Sequence, residues 1–129
     1  MGARVIQGLG IDVVSVERMR SWLNDEALLA RYFHPNERKA VAGRGSSAVP
    51  ALAARFAAKE AFGKALGTGL QGLSLRDIEV RNDELGKPEL VAHARAALAL
   101  RERSIEKVWV SLTHERESAI AVVVLEGAS

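Results

Sequence analysis

Apolar and polar positions follow a period of two in two parts of the chain, and this period predicts β-strands. Within residues 5–14, large apolar side chains alternate with glycines and Asp12, as a pleated strand requires. The alternation returns in residues 108–113. Residues 118–125 are almost continuously apolar instead, which predicts a strand that is buried on both faces.

The longest predicted element is a helix over residues 51–66, in which alanine and long unbranched side chains dominate. It should end at Gly67, because glycine readily takes the left-handed conformation that caps helices. One face of this helix consists of alanines, so another element can pack close to its backbone. Its charged side chains lie around the other side and predict either a solvated face or a site: Arg55, Lys59, Glu60 and Lys64.

Shorter segments complete the predicted architecture. Residues 43–50 have the composition of a loop, and Gly86 marks the bend of a hairpin. Helical patterns cover residues 16–23, 25–33, 36–42 and 93–103, and the hairpin strands cover residues 78–82 and 89–92. This order predicts an α+β fold with helices packed on an antiparallel sheet and one long central helix. Because no repeat or linker divides the chain, residues 1–129 should form a single domain.

Composition narrows the class of protein. A chain of 129 residues with 48% hydrophobic and 26% charged residues is expected to fold as one globular domain. The sequence has no cysteine, which excludes disulfides and thiolate metal sites and suits a reducing cytoplasm. The net charge of only +2 argues against a dedicated nucleic-acid binder. No apolar run resembles a signal peptide or a membrane span, so we expect a cytoplasmic protein that does not bind a membrane.

Two carboxylates on rigid elements are the main candidates for chemistry. Asp12 is unusual in a strand, and the glycines before it leave room for a ligand or another backbone. Asp12 and Glu60 could together hold Mg²⁺, which proteins bind through one or two carboxylates with phosphate and water. Lys64 would then neutralise phosphate, and His114 could donate to it. The sequence also allows a capping role for Asp12, a surface Glu60–Lys64 pair and an exposed His114.

Three motifs in order resemble those of the holo-[acyl-carrier-protein] synthases, the small bacterial branch of the 4'-phosphopantetheinyl transferases. They are GLGIDVVSVERM at 8–19, RFAAKEAFGKALGTG at 55–69 and SLTHERESAIAVV at 111–123. The resemblance implies transfer of the phosphopantetheine arm of coenzyme A to a serine of apo acyl carrier protein, releasing adenosine 3',5'-bisphosphate. It further implies dependence on Mg²⁺, a role in fatty acid biosynthesis, and a homotrimer with its sites between protomers.

The resemblance also implies roles for the residues nearest the reaction. Asp12 and Glu60 match the magnesium ligands, and Lys64 matches the lysine that meets the pyrophosphate. Glu60, or a metal-bound water that it orients, is the candidate general base, and the sequence does not decide between them. Lys59 adds positive charge on the same side of the helix and is expected to help bind coenzyme A.

The remaining matched positions concern binding. Arg55 and His114 match positions that line the coenzyme A site, near the 3'-phosphate and adenine. Gly67 and Thr68 match a turn beside the nucleotide. Arg18 matches a helix position that faces the acidic helix of the carrier protein, where complementary charge would orient the encounter.

Two other functions remain open at this point. A coenzyme A-dependent acyltransferase would bind the same nucleotide without a metal, so chelation by EDTA separates it from the transferase. A non-catalytic module with a basic docking helix would bind acidic carrier proteins and consume no coenzyme A.

Overall fold

The computed structural model describes residues 3–129, which form five strands and four α-helices joined by short 3-10 helices. The strands are β1 (Arg4–Ser15), β2 (Ile78–Asn82), β3 (Pro88–Ala92), β4 (Ile105–His114) and β5 (Ser118–Ala128). The α-helices are α1 (Glu26–Tyr32), α2 (Pro35–Ala42), α3 (Ala48–Leu66) and α4 (Ala94–Glu102). The 3-10 helices cover Glu17–Asn24, Gly45–Ser47 and Leu75–Asp77.

The strands form two antiparallel sheets, which confirms the predicted α+β class. The larger sheet has the order β1-β5-β4, and β2 and β3 form a separate hairpin. Helix α3 packs across one face of the larger sheet. Every second residue of β5 is fully buried on that face, whereas the alternate residues are only half-buried. The prediction that β5 is buried on both faces therefore holds for one face only.

The central helix ends where the sequence predicted and begins earlier. Gly67 caps its C-terminus with a left-handed φ of 83°. The helix starts at Ala48 because Pro50 lies in the first turn, where a missing N–H breaks no intrahelical bond. The predicted loop at 43–50 therefore contains a 3-10 turn and the start of α3. The segment after β1 is also helical, but of the 3-10 type.

Helix α3 is buried almost all round, so the solvated charged face that the sequence allowed does not extend to Arg55 and Lys59. Arg55 and Lys59 are 3% and 0% exposed, because α2 and the β2–β3 hairpin cover their side of the helix. Lys64 is exposed and Glu60 is partly exposed, so the accessible charge lies near the C-terminal half of α3. Among the helices within residues 3–129, none is both long and apolar enough to cross a lipid bilayer.

Two glycines let β1 and α3 approach each other at backbone distance. A Cβ on Gly8 would collide with the backbone oxygen of Ala65, and a Cβ on Gly10 with that of Ala61. Two strand residues advance by about 6.6 Å and four helix residues by about 6 Å. The two elements therefore stay in step, and Asp12, the next residue on the same face of β1, lies within reach of the Lys64 side chain of α3.

The first prediction concerns this backbone contact. Gly10→Ala should lower the free energy of unfolding by about 3 kcal/mol or more, because the new methyl group overlaps backbone that cannot move aside. Gly43→Ala is the matched control, since its Cβ would meet only the Lys39 oxygen at 4.0 Å. Urea denaturation of both variants measures the effect. Equal stability of the two variants would contradict the close approach.

Candidate active site

Strand β1 and helix α3 bring a carboxylate and an ammonium group together at their contact. Lys64 Nζ donates to Asp12 Oδ1 at 2.9 Å and to the backbone oxygen of Ile11 at 3.0 Å. The Asp12 side chain is 18% exposed and that of Lys64 is 55% exposed. The pair therefore lies at the rim of the fold, where a ligand can reach it. These two residues are distant in sequence, and the structure places them together as the motifs implied.

Glu60 belongs to the same cluster. Burial raises the pKa of its carboxyl, and the negative charge of Asp12 raises that pKa further. Lys64 and Arg18 act in the opposite direction without cancelling the rise. Two carboxylates that repel each other across a partly buried site have the oxygen donors that suit a hard divalent cation. The residues present therefore fit the Mg²⁺ that the sequence suggested.

Arg18 stands at the edge of this cluster. It lies in the 3-10 helix Glu17–Asn24, and its guanidinium carbon is 5.5 Å from the centre of the Phe56 ring. This cation–π contact holds an exposed side chain against α3. Arg18 is thus close enough to influence Glu60 and remains accessible to a partner.

Arg55 lies inside the fold with incomplete hydrogen bonding. Its Nη1 donates to the Ala51 oxygen at 3.3 Å and its Nη2 to Asn82 Oδ1 at 3.2 Å, while Nε has no partner among residues 3–129. Burial lowers the pKa of Arg55, and the nearby charge of Arg44 lowers it further, against an opposing effect of Glu37. An orphaned buried donor beside a second cation is a place that an anion would stabilise.

Arg44 is the functional candidate that the sequence reasoning missed. It precedes the Gly45–Ser47 turn that leads into α3, and the only sequence signal was one arginine in a glycine- and serine-rich segment. Its charge becomes meaningful only when the fold brings it near Arg55.

Lys59 does not join the accessible cluster, which corrects the expectation that it helps bind coenzyme A. Its ammonium group is fully buried and donates to Glu37 Oε1 at 2.6 Å. It also donates to the backbone oxygens of Leu75 at 2.9 Å and Ile78 at 2.5 Å. Three acceptors satisfy all three N–H bonds of the ammonium, so Lys59 supports the structure from within.

The turn after α3 follows Lys64 closely in the chain, but two of its backbone N–H groups already donate hydrogen bonds within the fold. The Gly67 N–H donates to the Lys64 oxygen and the Gly69 N–H to the Gly63 oxygen, both at 3.0 Å. Thr68 between them is exposed, so its side chain is the accessible polar group of the turn.

His114 is separated from the carboxylates within one chain. It ends β4 and pairs with Ala119 of β5, which pairs with Val14 of β1 on its other side. Two strand spacings of about 4.8 Å each therefore lie between the His114 backbone and β1. The structure brings together Asp12, Glu60, Lys64 and Arg18, and leaves His114 at the far edge of the sheet.

Comparison with known proteins shows the family to which the chain belongs. Residues 8–123 match the family model of the 4'-phosphopantetheinyl transferase superfamily. The holo-[acyl-carrier-protein] synthase of Treponema denticola is 52% identical over 123 residues, covering 95% of this chain and all of that protein. A crystal structure of the Neisseria meningitidis enzyme of the same name covers 94% of this chain and 98% of its own, with 38% identity and a TM-score of 0.85.

A third relative carries a nucleotide. The holo-(acyl-carrier-protein) synthase of Bacillus anthracis in complex with CoA (3',5'-ADP) is 39% identical, with a TM-score of 0.80 over 98% of this chain and all of that one. These matches span nearly the whole chain and include all three motifs. Together with the carboxylate cluster on β1 and α3, they show that the chain belongs to the 4'-phosphopantetheinyl transferase superfamily.

Proposed function

We propose that this protein transfers the 4'-phosphopantetheine arm of coenzyme A to a serine hydroxyl of apo acyl carrier protein. Adenosine 3',5'-bisphosphate leaves as the pyrophosphate bond of coenzyme A breaks. The observation that carries the proposal is the meeting of Asp12, Glu60 and Lys64 at the β1–α3 contact, in a chain whose relatives bear the name of this activity. We also propose that the protein acts in fatty acid biosynthesis, through its acyl carrier protein substrate. The cysteine-free sequence suits the reducing cytoplasm that we propose as its location.

The charged residues have distinct tasks in this reaction. Asp12 and Glu60 would hold Mg²⁺, which when bound supplies positive charge to the pyrophosphate. Lys64 gives up its contact with Asp12 and neutralises the same pyrophosphate as a point charge. The serine must lose a proton as it attacks phosphorus. Glu60, directly or through a water that it orients, is the candidate to accept it.

The nucleotide end of coenzyme A needs cations and a polar turn. Arg44 is exposed and can meet a phosphate directly, whereas the buried Arg55 beside it must turn outwards before its unpaired Nε can do so. We assign these two residues to a phosphate of coenzyme A. Gly67 and Thr68 would border the nucleotide, and His114 would complete its site from a different protomer.

An apolar outer sheet face supports the proposal that the protein is a homotrimer with sites between protomers. On the side of β1 away from α3, Leu9, Ile11 and Val13 are 67%, 56% and 60% exposed. Contiguous apolar residues on a sheet face are typical of an interface. Association would also allow the His114 of one protomer to approach the Asp12 of another, since the two are apart within one chain.

The direct test of the reaction is mass spectrometry of an apo carrier protein after incubation with this protein, coenzyme A and Mg²⁺. The proposal predicts that the carrier gains one phosphopantetheine and that EDTA prevents the gain. An unmodified carrier would support the non-catalytic binding module. An acyl group transferred from acyl-coenzyme A in the presence of EDTA would support the acyltransferase.

Glu60→Gln separates catalysis from stability. Loss of the carboxylate should lower kcat/KM at least about 100-fold. The fold disfavours ionised Glu60, so the variant should unfold at a higher temperature than the wild type at neutral pH without metal. This gain should vanish in acid, where glutamate is protonated in both states. Normal turnover would remove Glu60 from the mechanism, and a lower melting temperature at neutral pH would contradict its strained environment.

Arg18→Glu tests the docking of the carrier protein. Reversal of this exposed charge should raise the KM for the carrier about tenfold or more, with a much smaller change for coenzyme A. Arg95→Glu on α4 is the matched control, because it makes the same charge change at an exposed position away from the cluster. Steady-state kinetics with each substrate varied measures both values. Equal increases in the two KM values for Arg18→Glu would exclude a docking role.

Leu9→Glu tests the proposed interface. A charge in the centre of the apolar β1 face should dissociate the trimer, because the carboxylate would be buried without a partner. Leu85→Glu is the control, since Leu85 is 95% exposed at the tip of the β2–β3 hairpin. Size-exclusion chromatography with light scattering gives the mass in solution. A monomeric wild type, or a trimeric Leu9→Glu variant, would contradict the assigned surface.

A further inference from the structure

A second cluster of metal-ligating side chains lies away from the Asp12–Glu60 site. It consists of His34, Glu79 and His93, whose ligating atoms all lie within 4.8 Å of one another. His34 is the N-cap of α2, Glu79 lies in β2 and His93 is the N-cap of α4. The proposed transfer reaction uses none of them. We propose that these three residues form a binding site for a divalent transition metal of the Zn²⁺ class, separate from the all-oxygen Mg²⁺ site.

The distances are close to what such a site requires. Glu79 Oε1 lies 2.8 Å from His93 Nε2 and 3.8 Å from His34 Nδ1. Ligands bound to tetrahedral zinc at about 2.0–2.1 Å are about 3.3 Å apart. The first separation must widen and the second must close by only about 0.5 Å each. The ligating nitrogens of the two imidazoles lie within 4.8 Å of each other, and because the rings stack with centroids 4.9 Å apart, they must tilt to share one ion.

His34 presents its Nδ1 to the cluster. This nitrogen accepts a hydrogen bond from the Asn36 backbone N–H at 3.1 Å, so its single lone pair is used in capping α2. A metal on Nδ1 would replace this one capping bond. The start of α2 remains held, because the His34 N–H still donates to Glu37 Oε1 at 2.9 Å.

Glu79 is the anionic ligand of the set. It is 1% exposed, and buried carboxylates are rare without a cation or hydrogen bonds. The Asn36 amide lies 3.3 Å from Oε2, which leaves Oε1 directed at the two imidazoles and orients the carboxylate as outer ligands do in metal sites.

The site is open enough for exchange with solvent. The side chains of His34 and His93 are 24% and 39% exposed, so a water can complete the coordination. Two imidazoles and one carboxylate suit Zn²⁺, Co²⁺ or Ni²⁺, whereas Mg²⁺ prefers oxygen ligands alone. The ion would tie α2, β2 and α4 together on the side of the fold that contains the buried Lys59.

The chain contains three histidines, which makes the test simple. Zn²⁺ is titrated calorimetrically into wild-type protein with excess Mg²⁺ present to occupy the oxygen site. One equivalent should bind, and Zn²⁺ should raise the melting temperature by several degrees. His34→Asn, which keeps a capping side chain, and His93→Gln should each weaken binding at least about tenfold. His114→Gln, the matched control, should bind Zn²⁺ as the wild type does.

A measurement on the wild type alone guards against variants that fail to fold. In NMR spectra, Zn²⁺ should shift the imidazole resonances of His34 and His93 and leave those of His114 unchanged. Co²⁺ in place of Zn²⁺ should give visible d–d absorption. No uptake of Zn²⁺, equal affinity in His93→Gln, or a shift confined to His114 would each overturn the site. None of these outcomes bears on the transfer of phosphopantetheine, which is measured separately with Mg²⁺.

Discussion

The close packing of α3 on β1 is the constraint on which the rest of the structure depends. Gly8 and Gly10 allow helix and strand backbones to touch, and a side chain at either position would push them apart. The matching advance of strand and helix then carries Asp12 to the turns that bear Glu60 and Lys64. Asp12 therefore joins the charged residues of α3, although they are far apart in sequence, because Gly8 and Gly10 have no side chains to hold the backbones apart.

The opposite side of α3 is fixed by buried charge. Lys59 and Glu37 form an ion pair with no solvent exposure, and Glu37 also accepts from the Val80 N–H at 3.0 Å. A buried pair contributes little net stability when it forms, but removal of one partner is strongly destabilising. In this protein the ion pair fixes the rotation of α3 about its own axis. Adjacent helical residues point about 100° apart, so a Lys59 held inward turns Glu60 towards the rim.

The sequence was sufficient to predict the fold class and to bring Asp12, Glu60 and Lys64 together as candidates. It was not sufficient to predict which side chains are buried. Periodicity located the strands and helices, and the motif order placed Asp12 with Glu60. The alternating pattern could not show that the glycines and Asp12 of β1 face the helix while Leu9 and Ile11 face outwards. Which face of the strand is covered depends on its packing against α3. Nor could it show that Lys59 is internal, since α2 and a distant hairpin cover it.

The same limit explains the residues that were missed. Arg44 and Glu79 have ordinary surroundings in sequence and gain meaning only from neighbours that the fold supplies. Arg44 approaches a buried Arg55, and Glu79 lies between two histidines, His34 and His93, that are far apart in the sequence. Local patterns contain no information about such contacts, whereas motifs that join several elements do.

The central claim is that Asp12 and Glu60 share one divalent ion beside the pyrophosphate of coenzyme A. The most direct measurement is a crystal structure with coenzyme A and Mn²⁺ in place of Mg²⁺, in which anomalous scattering locates the metal. The account predicts a single anomalous peak within bonding distance of both carboxylates and of the pyrophosphate. A peak bound to only one of the two carboxylates, or coenzyme A bound elsewhere on the chain, would contradict it.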